Sequence, residues 1–175
     1  KKMIPTYLLC DCEMDKDTPP ELLSVMGCRT RVVADRFGKT GAIGRSNIDN
    51  ITINLPRLAL ETVKEHSDLS SDKLFERCKE KWLSVADTVT EILLVRFHKT
   101  CTQDIDLFPT LSQYNLSCEN INETGLDELF KHGTLSIGFI GLSEMLDVIF
   151  DGKFWEDEKI YNAALNMLSF MRGYT

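Results

Sequence analysis

No run of apolar side chains in this chain is longer than four residues, as in Ile92 to Val95. A membrane-spanning helix needs roughly 20, so nothing here is read as crossing a bilayer. Positive charge is also short: 27 acidic side chains stand against 20 basic ones, for a formal net charge of -7. Such a chain has no bulk field with which to gather phosphate backbones by counterion release, which sets nucleic acid aside as a partner. Lys1-Lys2 followed by Met3 to Cys12 imitates a secretion signal, but Pro5 interrupts the apolar part and an acidic stretch follows without a small-residue cleavage site. The expected location is cytoplasmic. Cys-x-x-Cys is absent, and Cys10-x-Cys12 has no nearby histidine, so the six cysteines carry no zinc-ligand spacing. They are too dilute for a disulfide scaffold and read as free thiols, several of them core residues. The sequons at Asn50, Asn115 and Asn122 would matter only in a secreted protein. The three histidines, His66, His98 and His132, lie far apart, and none stands beside a Ser or Cys in a nucleophile pattern. Each reads as a partner for a helix C-terminus rather than as a base.

What is present is ordinary globular material, 43% hydrophobic and 27% charged over 175 residues. That length supports one sizeable core. The chain starts on Lys1 and stops at Thr175 directly after a helical pattern, which suggests a piece of something longer. Residues 6–12 read as a short buried strand. Pro19-Pro20-Glu21 opens a short helix with Thr18 as N-cap and Gly27 as terminator. Residues 28–34 suggest a second strand and 35–47 a glycine-bearing loop, while 48–55 alternates as a third strand that Pro56 ends. The period then becomes helical. One helix ends near Glu65, and a long one runs from Asp72 or Ser71 through Lys99, with Leu74, Phe75, Cys78, Trp82, Val85, Ala86, Val89, Ile92, Leu93 and Phe97 at spacings of three and four. Residues 100–120 read as irregular. A short helix over 125–131, an apolar β-branched strand over 135–140, a helix over 143–150 and a final amphipathic helix over 157–171 complete the pattern, and no internal repeat appears.

Three motifs invite a chemical reading. Gly38-Lys39-Thr40 resembles the end of a phosphate-binding loop, but Val33 stands where the first glycine belongs and Gly41 and Gly44 forbid the helix that should follow. It reads as a turn. Gly133, Gly138 and Gly141 punctuate an apolar strand and imply close backbone approach to a neighbour or to a ligand, close packing being the plainer cause. Met26-Gly27-Cys28-Arg29-Thr30 places a thiol in a tight turn between elements, where a ligand can reach it. Paired carboxylates, by contrast, fall on polar faces: Glu76, Glu80 and Asp87 are read as solvated.

Taken together, several segments resemble the catalytic subunit of the anaerobic (class III) ribonucleoside-triphosphate reductases, a family of glycyl-radical enzymes. The segments are Met26-Gly27-Cys28-Arg29, the loop Ile43-Gly44-Arg45-Ser46-Asn47, the run from Ile51 to Leu60, and the stretch from His132 to Glu144. They occur in the family's order and cover most of the chain. The resemblance implies an α/β fold, part of a ten-stranded β/α barrel of the glycyl-radical type, in a helix-rich fragment. Residues 1–175 would be a central piece of that barrel, with a finger loop near 26–47 and outer helices over 56–99 and 124–171.

The same resemblance implies the chemistry. Removing a ribose hydroxyl begins with taking hydrogen from C3′, which a thiyl radical can do because S–H and activated C–H bonds are close in strength. Cys28 matches the radical-bearing residue, Asn47 the polar side chain of the formate-dependent members, and Met26 and Thr30 would line the substrate pocket. The implied partners are a ribonucleoside triphosphate, formate as reductant and a radical-SAM activating enzyme, with the full-length protein a homodimer. No cofactor is expected in this fragment; the glycyl radical and a structural zinc belong to a missing C-terminal part, because Met171-Arg172-Gly173-Tyr174-Thr175 lacks the family's cysteine. The fragment alone should be inactive. Two other readings remain open: a fragment of a pyruvate formate-lyase type enzyme, which typically carries adjacent cysteines, and a non-enzymatic helical interaction domain.

Overall fold

A computed structural model describes residues 16, 19, 24–26, 30–32, 35–37, 41, 44–114 and 121–175, the side chains of 24–26 and 30–32 excepted. The expected strand over 6–12 and the Gly38-Lys39-Thr40 turn lie outside the described residues, as does Cys28. Strand β1, Ser24–Met26, pairs antiparallel with β2, Thr30–Val32, in the register Ser24 to Val32 and Met26 to Thr30. The helix expected to follow Pro20 is therefore corrected: residues 24–26 are extended. Ser24-Val25-Met26 carries one β-branched residue and no helical stripe, and pairing with 30–32 supplies the backbone bonds that a three-residue helix could not.

Strand β3, Asn47–Asn54, pairs with β4, Thr134–Ile140. The two run parallel, since partners advance together: Ser46 accepts from the Thr134 N–H, Gly138 faces Thr52 and Gly141 faces Pro56. Ile53 is buried while Asn50, Thr52 and Asn54 are exposed, the alternation of a half-buried strand. The glycines of β4 and its flanks serve close packing. A Cβ on Gly133 would strike the Ile48 side chain, one on Gly138 would lie 3.1 Å from Thr52 Oγ1, and one on Gly141 would overlap the Pro56 ring.

Helix α1, Leu55–Glu65, follows β3 without a loop. The Asn54 side chain accepts from the Arg57 N–H at 3.0 Å, and Pro56 sits in the first turn, where no N–H is required. Leu55, Leu58, Ala59 and Thr62 form its buried stripe, and the Thr62 hydroxyl donates to the Leu58 carbonyl at 2.7 Å. Helix α2, Ser71–Cys101, buries Leu74, Phe75, Cys78, Trp82, Ala86, Val89 and Leu93. Ile92, assigned to that stripe from spacing, is exposed instead, because the buried face narrows to Val89 and Leu93 in the last turns. Residues 100–120, expected to be irregular, hold a 3-10 turn at Ile105–Leu107 and helix α3, Pro109–Tyr114. Asp104 starts the turn by accepting from the Asp106 N–H, and Pro109 opens the helix instead of breaking one. Helix α4, Ile121–Phe130, breaks at Gly125 (φ 85°); α5, Leu142–Phe150, begins after Gly141 (φ 79°); and α6, Glu158–Tyr174, is capped by Asp157.

These elements fall into two compact units, one of residues 1–49 and 97–135, the other of 50–96 and 136–175. The first has a small core of Ile121, Leu126, Leu129 and Phe130, against which Ile48, Phe97, Phe108 and Leu111 pack. In the second, α1 packs on α5 and α5 on α6, and Trp82 meets Phe170 and Tyr174 edge to face at centroid distances of 5.6 and 5.5 Å. The chain is thus mixed helix and strand, with two two-stranded sheets among the described residues.

Candidate functional site

Of the site residues implied by the resemblance, the described ones, Met26, Thr30 and Asn47, lie in the first unit. Met26 and Thr30 are cross-strand backbone partners, so Cys28 falls in the three-residue interval 27–29 that separates them in sequence, outside the described residues. Asn47 opens β3 and is exposed, leaving its amide to offer both a donor and an acceptor.

The segment before Asn47 is held by identifiable bonds. Gly44 adopts a left-handed conformation (φ 72°) that a side chain would strain. Arg45 Nε donates to the His132 carbonyl at 2.7 Å, and the Thr134 N–H donates to the Ser46 carbonyl at 2.8 Å. Thus the Gly44–Asn47 loop and the His132–Thr134 entry to β4, two of the segments singled out by sequence, are bonded to each other. His132 follows the end of α4 by two residues, and its Nδ1 lies 2.6 Å from Asp35 Oδ2, with the two side chains 13% and 10% exposed. Phe37 stands edge-on to the imidazole at 5.8 Å, with Arg36 and Lys131 over its ring. Neither Asp35 nor the pairing was foreseen, for no local pattern joins residues 97 positions apart.

The described residues hold no cluster of three or more His, Cys, Asp or Glu able to grip a metal ion. Burial pushes the Cys78 thiol up to about 11, against smaller opposing effects of Lys81 and Thr62, and burial also raises Cys101. Neither is a ready nucleophile. In the second unit, a cavity of about 360 Å³ lies among Trp82, Ile137, Phe139, Leu168, Met171 and Arg172.

The family model of the anaerobic ribonucleoside-triphosphate reductases matches residues 1–175, and the chain belongs to that family. It is 26% identical over 140 residues to the anaerobic ribonucleoside-triphosphate reductase of Haemophilus influenzae, covering 77% of this chain and 18% of that protein. With the protein of the same name from Enterobacteria phage T4 it shares 30% identity over 128 residues, 70% of this chain and 20% of the relative. The matched region thus spans about a fifth of the length of these curated relatives.

Proposed function

We propose that this chain forms part of the catalytic barrel of a reductase that converts ribonucleoside triphosphates to deoxyribonucleoside triphosphates, with Cys28 as the thiyl-bearing residue. The observation that carries this reading is the family match over all of residues 1–175, a span that includes Met-Gly-Cys-Arg at 26–29 and Gly-Arg-Ser-Asn at 44–47. A thiyl at Cys28 would take the C3′ hydrogen and return it later, while the 2′-hydroxyl leaves as water. Two electrons are then required, and formate supplies them on becoming carbon dioxide. Asn47, exposed at the head of β3, would bind formate or a ribose hydroxyl through its amide. Met26 and Thr30, partners across the β1–β2 pair, would line the substrate pocket on either side of the thiol. The glycyl radical, the zinc and the activating enzyme are assigned to no residue of this chain, and the ten-stranded barrel is the setting in which these segments would meet.

In the full-length protein, Cys28→Ser should abolish turnover and leave nucleotide binding nearly intact. A hydroxyl keeps the shape, but its O–H bond is too strong to exchange hydrogen with the ribose. Asn47→Ala should leave the glycyl radical formed, by electron paramagnetic resonance, and raise the formate concentration needed for turnover. Wild-type turnover from the Cys28→Ser protein would overturn the assignment.

A further inference from the structure

The Asp35–His132 pair has no role in the chemistry assigned above, yet it sits where three segments join. Asp35 Oδ2 is 2.6 Å from His132 Nδ1, and a carboxylate only accepts, so Nδ1 is the donor. This bond fixes the imidazole ring, with Phe37 edge-on against it. The backbone carbonyl of the same histidine takes the Arg45 Nε hydrogen bond at 2.7 Å, and two residues later Thr134 bonds the Ser46 carbonyl at 2.8 Å. The residues immediately before Asn47 are therefore tied twice to one short stretch of chain, and that stretch is tied to Asp35. Both members of the acid–imidazole pair are about nine-tenths buried. Removing the Asp35 carboxylate takes away the acceptor of the His132 Nδ1–H, while Asp35 Oδ1 also accepts the Phe37 N–H at 2.9 Å, so the ring bond is directional where a greasy contact would not be.

We propose that Asp35, His132 and Arg45 are positioning residues that clamp the Gly44–Asn47 loop and so present the Asn47 amide in one orientation. The functional meaning of the clamp rests on the reading of Asn47 as a formate or ribose contact; the clamp itself does not. Arg45 acts through the His132 backbone, whereas Asp35 acts through the His132 ring, so the two ends can be separated by mutation.

Amide hydrogen exchange, followed by mass spectrometry on the full chain, tests the clamp. Asp35→Leu and His132→Gln should speed exchange in peptides covering 44–48 and 132–135 on the order of ten- to a hundredfold, the size expected for losing a charge-assisted bond. Exchange in α1 and α6 should stay unchanged. His132→Asn keeps a donor near the Nδ1 position and should stay within about threefold of wild type, a rescue that a purely space-filling histidine would not show. Arg45→Lys should loosen 44–48 alone, and it decides the matter if Asp35→Leu unfolds the chain. Unchanged exchange at 44–48 in Arg45→Lys, or equal losses in His132→Asn and His132→Gln, would overturn the proposal. In the full-length enzyme, His132→Gln should raise the KM for formate with nucleotide binding kept. Faster exchange with an unaltered formate KM upholds the clamp and removes Asn47 from the active site, so the two failures are told apart.

Discussion

Cys78 and Trp82 lie one helical turn apart on the buried face of α2, and each carries a polar atom into the core. The Trp82 ring is 2% exposed and packs on Phe170 and Tyr174, while its indole N–H has no hydrogen-bond partner among the described residues. Trp82→Ala should cost about 3–5 kcal/mol, read from urea unfolding. Trp82→Phe should cost much less, because it gives up ring volume but also removes the orphaned donor. Cys78 makes a prediction in pH. Its thiol is pushed from 9.0 to about 11 by burial, so the neutral form is favoured in the fold. A raised pKa contributes stability below the unfolded value that is lost as pH climbs through the folded one. Unfolding free energy should therefore fall between about pH 9 and 11, with Cys101 and Tyr174, also raised, adding in the same sense. Cys78→Ala should flatten part of that decline in denaturation midpoints measured across the range.

Among the elements, the best-specified start is that of α1. Asn54→Ala removes the side-chain acceptor for the Arg57 N–H and should destabilise by about 1 kcal/mol. Gly141→Ala should cost more, since it adds a strained φ of 79° to a clash with Pro56, and circular-dichroism melting of the two variants checks the order. Such elements were legible because the cause is local: capping side chains, prolines in first turns and apolar residues at helical spacing placed α1, α2, α5 and α6 within a few residues. The parallel strand β4 showed in its glycines. What was not legible depended on distant partners. Residues 24–26 are extended because 30–32 pair with them, and Pro109 starts a helix because the Asp104 turn delivers the chain to it. At the candidate site the Gly44–Asn47 loop was visible as a motif, but its bonds to His132 and Thr134 join positions 87 and 88 apart, and no pattern in sequence encodes them.

At the scale of the molecule, the chain leaves sizeable apolar side chains in water. Val95 is 66% exposed, Ile140 62%, Leu60 58% and Leu94 47%. Strand β4 has one paired neighbour among the described residues, and an open strand edge beside exposed Phe139 and Ile140 is a surface that recruits other chains. The 175-residue chain should therefore self-associate, with static light scattering giving a mass above 19.9 kDa that rises with concentration. A strictly monomeric, well-folded species at high concentration would contradict this. The match covers only 18% and 20% of the two curated relatives.

The glycine seam between β3 and β4 has one more consequence, and it is mechanical. Packed side chains absorb small displacements by turning about their χ angles, which makes most interfaces slightly compliant. Gly138 has no such freedom to offer, and neither has Gly141 against the Pro56 ring. The seam is stiff, and it ends where α1 and α5 begin, at Leu55 and Leu142. Any push on β4 must then move backbone against backbone, so the starts of these two helices should shift together as one rigid body.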